Sequence, residues 1–226
     1  AYGEAPITPV PGVWKSELAN GLKVLGIEND ELPLVQFDLT LKGGLLADDI
    51  NKVGVANLVG NMMNRGTINK TPAELEAAIE ALGASINVGV GQEAFSVSGS
   101  TLARNFGATI ALLEEMLLEP RWDADEFELA KLSAANGLKG QLANPVAIAG
   151  IEFNKVFYGS DHILSRNMLG TAETIAAITV DDLKAYYAAY IVPSVGAMHI
   201  AGDISQADAV AALKGLEARW QDKAVS

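Results

Sequence analysis

The residues able to do chemistry are few. The chain has two histidines, His162 in "YGSDHILSR" and His199 in "GAMHIAGD", and no cysteine. A protein zinc site takes about three ligands of histidine, cysteine or carboxylate type. Two histidines far apart in sequence are a poor inventory, and each reads as a structural histidine satisfied by its neighbours. "SVSGS" supplies serines without the G-x-S-x-G spacing of a nucleophile elbow, and no histidine lies near it in sequence. "GVGQEA", Gly89 to Ala94, has a loose G-x-G-x-x-A form, but holding a pyrophosphate requires a helix N-terminus after the loop. Here an alternating pattern predicts a second strand instead. Acidic residues gather at helix starts, as in "RWDADEFE", where the helix dipole accounts for them. One stretch resists such explanations: "GVANLVGNMMNRGT", Gly54 to Thr67. Val55, Ala56, Leu58, Val59, Met62 and Met63 form an apolar side at helical spacing, and Asn57, Gly60, Asn61 and Asn64 share the opposite side. Solvated helix faces favour Glu, Lys, Gln or Arg, whereas asparagine is a poor helix former and a mid-helix glycine costs roughly 1 kcal/mol relative to alanine.

The elements that must position these residues follow from pattern and punctuation. Residues 1–13, "AYGEAPITPVPGV", hold three prolines and no periodicity, so they read as an extended arm or linker. "GLKVLGIEN" and "PLVQFDLTLKGG" read as strands around the turn "NDELP", and the Gly54 helix follows. "NKTPAELEAAIEALG" carries every helix-end signal: Thr71 as N-cap, Pro72 at the first position, Glu74 completing a capping box, and Gly83 at the end. "ASINVGVGQEAFSVSGST" alternates and predicts a hairpin turning at Gly91, Gln92 and Glu93. Helices are expected around 103–118, 123–142 and 146–157, then over "TVDDLKAYYAAYI". A strand "GAMHIAGDI" and a helix "SQADAVAALKGLEARW", capped by Ser205, close the chain. This order predicts an α+β fold, one domain over residues 14–226 with a mostly antiparallel sheet backed by helices.

Composition bounds the partners. The chain has 226 residues, half of them hydrophobic and 19% charged, which suffices for a packed core. A net charge of −12 argues against nucleic acid and anionic membranes. The most apolar helix, "IALLEEMLLEP", is interrupted by two glutamates, so no membrane span is expected. No signal peptide is visible, and a start at Ala1 is consistent with a processed product or an excerpt of a longer protein.

The order and spacing of these pieces, from Trp14 to Trp220, resemble the pitrilysin/insulinase family of zinc peptidases. The pieces that carry the likeness are "NGLKVLGIENDELPLVQFDLTLKGG", "KVGVANLVGNMMNRGT", "KTPAELEAAIEALGASINVGVGQEAFSVSGSTL" and the run from "FYGSDHILSRNMLGT" to "GAMHIAGDIS". The resemblance implies one α/β-roll domain, of a kind that family members assemble in pairs into halves closing like a clamshell over a peptide. Catalytic domains carry an inverted H-x-x-E-H motif, in which two histidines bind zinc and the glutamate activates water. The match sets Asn57 and Asn61 at the histidines and Gly60 at the glutamate, with the third ligand's position near Asn136 or Gly137. The asparagine stripe thus resembles a zinc face that has lost its ligands.

The resemblance further implies strand addition of substrate along "ASINVGVG", where Ser85, Asn87 and Gly89 are small and uncharged. The same residues also fit an ordinary hairpin covered by a neighbouring domain. The Arg and Tyr that catalytic members draw from a downstream domain have no counterpart before Ser226. The expectation is a non-catalytic, substrate-enclosing domain that works with a catalytic half on the same chain or another subunit, with zinc held in that partner. An assembly protein of the same fold without a peptidase role, like respiratory-complex core subunits, is the rival. Bacterial members imply a periplasmic location, though the residues suit the cytoplasm as well.

Overall fold

A computed structural model describes residues 12–223. The proline-rich arm falls almost wholly outside them, and its last residue, Val13, opens a strand rather than ending a linker. This first strand, β1 (Val13–Glu17), escapes the pattern because only Trp14 is a strong apolar signal in "VWKSE". Trp14 lies across Gly26, where a Cβ would fall 2.0 Å from the indole ring, so the glycine admits the ring and fixes β1 on its neighbour.

The remaining strands are β2 (Lys23–Glu28), β3 (Leu34–Lys42), β4 (Ser85–Val90), β5 (Ala94–Leu102) and β6 (Gly196–Gly202). They form one sheet in the order β1-β2-β6-β3-β5-β4. Every pairing is antiparallel except β2 with β6, so the last strand in sequence lies between the second and the third. Alternation decides the faces. Val35, Phe37, Leu39 and Leu41 of β3 point into the core with Val24, Met198 and Ile200, while Gln36, Asp38 and Thr40 point the other way.

The helices cover the core face. They are α1 (Val55–Met63), α2 (Pro72–Ala81), α3 (Phe106–Leu118), α4 (Ala124–Leu142), α5 (Pro145–Tyr158), α6 (Ala172–Ala177), α7 (Val180–Tyr190), α8 (Gln206–Ala212) and α9 (Lys214–Arg219). The starts at Thr71, Asp123 and Ser205 are capped as the sequence predicts, and Asn144 adds a cap that it does not announce. Thr71 and Glu74 close a capping box, and Asp123 accepts the backbone N–H of Asp125 and Glu126. Asn144 does the same for Val146 and Ala147 ahead of Pro145. Two details differ from expectation. The C-terminal helix breaks at Leu213 into α8 and α9. A short helix, α6, begins at a Thr171–Thr174 box that no apolar periodicity announces. No helix among the described residues is long and apolar enough to cross a membrane.

Candidate functional site

The site is built on α1. Gly54 precedes it in the left-handed region (φ 115°), with its Cα side against the carbonyl oxygen of Leu169. No side chain of the N-cap residue serves the first turn. Asp48 does so from six residues upstream, accepting the N–H of Gly54 (2.9 Å) and of Ala56 (2.8 Å). Burial pushes the Asp48 carboxyl up to about 6, outweighing the two backbone donors that stabilise its charge. The phenol of Tyr186 is likewise raised by burial and by the charge of Asp48.

Along α1 the asparagines are tied to the helix itself. Asn61 Nδ2 donates to the backbone oxygen of Asn57 (2.9 Å) and to its Oδ1 (3.2 Å). Asn64, at the C-cap, donates to the Gly60 oxygen (3.0 Å). Such bonds to the preceding turn are the local competition that makes asparagine a weak helix former.

Gly60 does not belong to a polar stripe. It is buried, and a Cβ placed there would lie 2.5 Å from Val90 Cγ2 on β4. The glycine is a close-approach residue that lets β4 settle on α1. The space a longer side chain would take is filled by Val90.

The third position lies on α4. Arg65, just past the C-terminus of α1, pairs with Glu126 in the first turn of α4 at 2.8 Å, and the two helices pack together, hence antiparallel. Ala130 and Ala134 form the buried contact face, while Asn136 and Gly137 are exposed. Leu169 stands between the start of α1 and Gly137, 3.3 Å from where a Cβ of Gly137 would be. This donor set does not fit zinc. Two neutral amides bonded to each other, a glycine with no room for a carboxylate, and an exposed asparagine supply neither charge nor a general base. Among the described residues no three His, Cys, Asp or Glu side chains come together either.

The histidines lie apart. His162 is exposed, accepts the Leu164 N–H at Nδ1 (3.1 Å) and stacks on Tyr158, as a structural residue would. His199 stands on the open face of the sheet, level with Asp38 on β3 and, beyond it, Ser98 on β5. This row is invisible in sequence. It is no triad, because the aspartate separates serine from histidine by two strand spacings, about 10 Å. Asp38 instead accepts a hydrogen bond from Thr40 (2.7 Å).

That open face carries a shallow groove of 640 Å³, with Leu25, Ile27 and Ala201 at one side and Ser98, Ser100 and Asn87 at the other. β4 forms the sheet's edge beyond it. The side chains of Ser85 and Asn87 line this groove; Gly89 sits further along the same strand face.

The chain matches the model of the insulinase family, peptidase family M16, over residues 23–151. It is 22% identical to an uncharacterized zinc protease of Mycobacterium leprae, over 90% of this chain and 45% of that protein. A non-peptidase homolog from Helicobacter pylori is 26% identical over 71% of this chain and 37% of its own length. Among solved structures, an inactive domain of peptidase M16 from Pseudomonas fluorescens superposes with a TM-score of 0.89 at 28% identity, over 95% of this chain and 52% of that one. The chain therefore spans about half the length of the relatives it matches.

Proposed function

Because the chain belongs to the M16 insulinase family, we propose that it is a non-catalytic domain of a peptidase of that family, one that helps enclose a peptide while another half holds the zinc. One observation carries this reading. The positions where the family does its chemistry are filled by structure: Asn57 and Asn61 bond to each other, and Val90 occupies the space beside Gly60. The residues left available to a peptide are on the bare sheet face. Its mix of apolar side chains with hydroxyls and amides suits an extended segment of variable sequence. We place Ser85 and Asn87 among its contacts. The periplasmic location implied by the family's bacterial members belongs to the same proposal.

Helix α5 supports the other half of the proposal, a partner domain. Val146, Phe153, Val156 and Phe157 are all more than 60% exposed, and no residue of α5 is buried. An apolar helix of this kind is normally covered. We assign its cover to a second domain of the family, supplied on the same chain or by another subunit.

The test uses the chain with a fluorescein-labelled unfolded peptide and added zinc. Saturable binding is expected without cleavage, weakened several-fold by Leu25→Glu or Ile27→Glu on the open face. Zinc-dependent cleavage that is lost on changing Asn57 or Asn61 would overturn the reading, as would binding indifferent to the face.

A further inference from the structure

The pentapeptide "ANGLK" occurs twice in the chain, as Ala19 to Lys23 and as Ala135 to Lys139. Asparagine followed by glycine is the dipeptide most prone to deamidate without an enzyme, because no side chain on the glycine shields its nitrogen from the preceding carboxamide. The two copies share their local chemistry, so the fold alone decides how each behaves. The second copy lies inside α4. In a helix the side chain of Asn136 leans toward the N-terminus, away from the nitrogen of Gly137, and that nitrogen is committed to the preceding turn.

The first copy forms the turn between β1 and β2. Leu18 N–H bonds the Leu22 oxygen and Gly21 N–H bonds the Leu18 oxygen, both at 2.9 Å, with Gly21 in the left-handed region (φ 86°). Its asparagine is half-buried and is held from the other end of the chain. Asn20 Nδ2 donates to the backbone oxygens of Leu216 (3.4 Å) and Trp220 (3.2 Å) at the C-terminal end of α9, while its Oδ1 accepts the Leu22 N–H (3.2 Å). The carboxamide is thus anchored at both its nitrogen and its oxygen. Helix α9 is itself fastened at several points. The indole of the buried Trp220 donates to the Ile191 oxygen (3.1 Å), and Arg219 donates to Glu114 (2.7 Å) and to Glu119. Glu217 accepts the N–H of Ala19, beside the turn.

We propose that Asn20 is a site of spontaneous deamidation gated by α9, and that the reaction makes detachment of that helix permanent. While α9 is docked, its carbonyls hold the carboxamide and Leu18 holds the Gly21 N–H. When α9 lifts, the Gly21 nitrogen gives its proton to solvent and bonds Asn20 Cγ, and Nδ2 leaves as ammonia. Water then opens the resulting succinimide at either carbonyl, leaving aspartate or isoaspartate. One water is consumed and one ammonia released, with no change of oxidation state. Both products carry a carboxylate where the donor stood. It has no hydrogen to offer the Leu216 and Trp220 oxygens, and it faces the negative end of the helix dipole with Glu217 close by. Helix α9 then cannot return to its former seat. The device is separate from both the asparagine face of α1 and the open face of the sheet.

The chain supplies its own control. Incubation at mildly alkaline pH, followed by peptide mapping with mass spectrometry, gives the deamidation rates at Asn20 and Asn136 separately. Both are expected to be slow in the folded chain and equally fast in urea. Trp220→Phe loses the bond to Ile191 and part of the packing, and is expected to speed Asn20 about tenfold, the scale of one buried hydrogen bond, while leaving Asn136 unchanged. Asn20→Asp, the product, is expected to keep the fold but to let the α9 amides exchange hydrogen faster. Reaction of Asn20 as fast in the folded chain as in urea overturns the proposal. So does a folded Trp220→Phe chain that speeds both sites alike or neither, or an Asn20→Asp chain whose α9 exchanges as before. Should Trp220→Phe fail to fold, Arg219→Ala, which frees α9 from α3, is judged by the same two rates. Should Asn20→Asp fail to fold, exchange is read on the unaltered chain aged to partial deamidation, its deamidated fraction resolved by mass.

Discussion

Asp48 is a carboxylate with two opposing demands on it. The first turn of α1 asks for its negative charge, and the surrounding protein penalises that charge by excluding water. Burial prevails, so the folded pKa, about 6, lies above the unfolded value of 3.8. Between these values the folded state keeps a proton that the unfolded chain has lost, and stability falls as pH rises through the window. Two pH units correspond to about 3 kcal/mol at most. Asp182, held down by its bond to Lys52, Asp123, held down by the N–H of Glu126, and Glu74, held down by the N–H of Thr71, act in the opposite sense at the acid end of the window. There the unfolded chain still holds their protons, so the share of Asp48 is the difference between the profiles with and without its carboxyl. Asp48→Asn is expected to abolish the decline while retaining an oxygen for one helix N–H. Urea denaturation from pH 4 to pH 6.5 reads it out, and parallel profiles for the two proteins would show that Asp48 does not titrate there. Asp48 could not be singled out from sequence, because its role depends on a loop bringing it to a helix six residues away.

The elements show what the sequence reveals and what it hides. Helix caps and the hairpin turn are local, so Thr71, Asp123 and Gly91 announce their structures within a few residues. The asparagine stripe was legible as an anomaly. Its partners were not, since Asn64 meets Val88 across 24 residues of chain. Gly60 is the sharpest case. Helix propensity alone promises a gain near 1 kcal/mol on replacing it with alanine. The packing reverses the sign, because a methyl would overlap Val90 at 2.5 Å, and overpacking of this kind costs roughly 1–3 kcal/mol. Gly60→Ala should therefore destabilise the chain, and Gly60→Glu more so. Adding Val90→Ala should return part of the loss for Gly60→Ala. A double-mutant cycle of denaturation midpoints measures the coupling. Additive losses would mean that α1 and β4 move apart without strain.

At the scale of the molecule, the α+β architecture and the single sheet were readable from the order of elements. The order of strands was not, nor which helix would lie bare. Pattern places Val146, Phe153, Val156 and Phe157 on a helix but cannot say that no other described residue buries them. Their exposure predicts concentration-dependent self-association of the chain in isolation, through the face we have proposed for a partner domain. Phe153→Glu with Phe157→Glu, a stacked pair with ring centroids 5.6 Å apart, should make the chain monomeric without loss of folding. Sedimentation velocity over a range of concentrations decides it. A monomer at all concentrations before substitution would remove α5 as a docking surface.

The position of β6 between β2 and β3 has a consequence for synthesis. The centre of the sheet is completed by residues 196–202, more than 150 residues after β3 is made. As the nascent chain leaves the ribosome, β2 and β3 can each pair on one side only, and the gap between them awaits the last strand. Contacts of such long sequence separation make for slow closure and a prolonged interval of open, sticky edges. Residues 23–151, which carry the family pattern, are accordingly a recognisable segment and not a folding unit. A chain cut there would hold α1 and β4 but lack the strand that joins the two parts of the sheet.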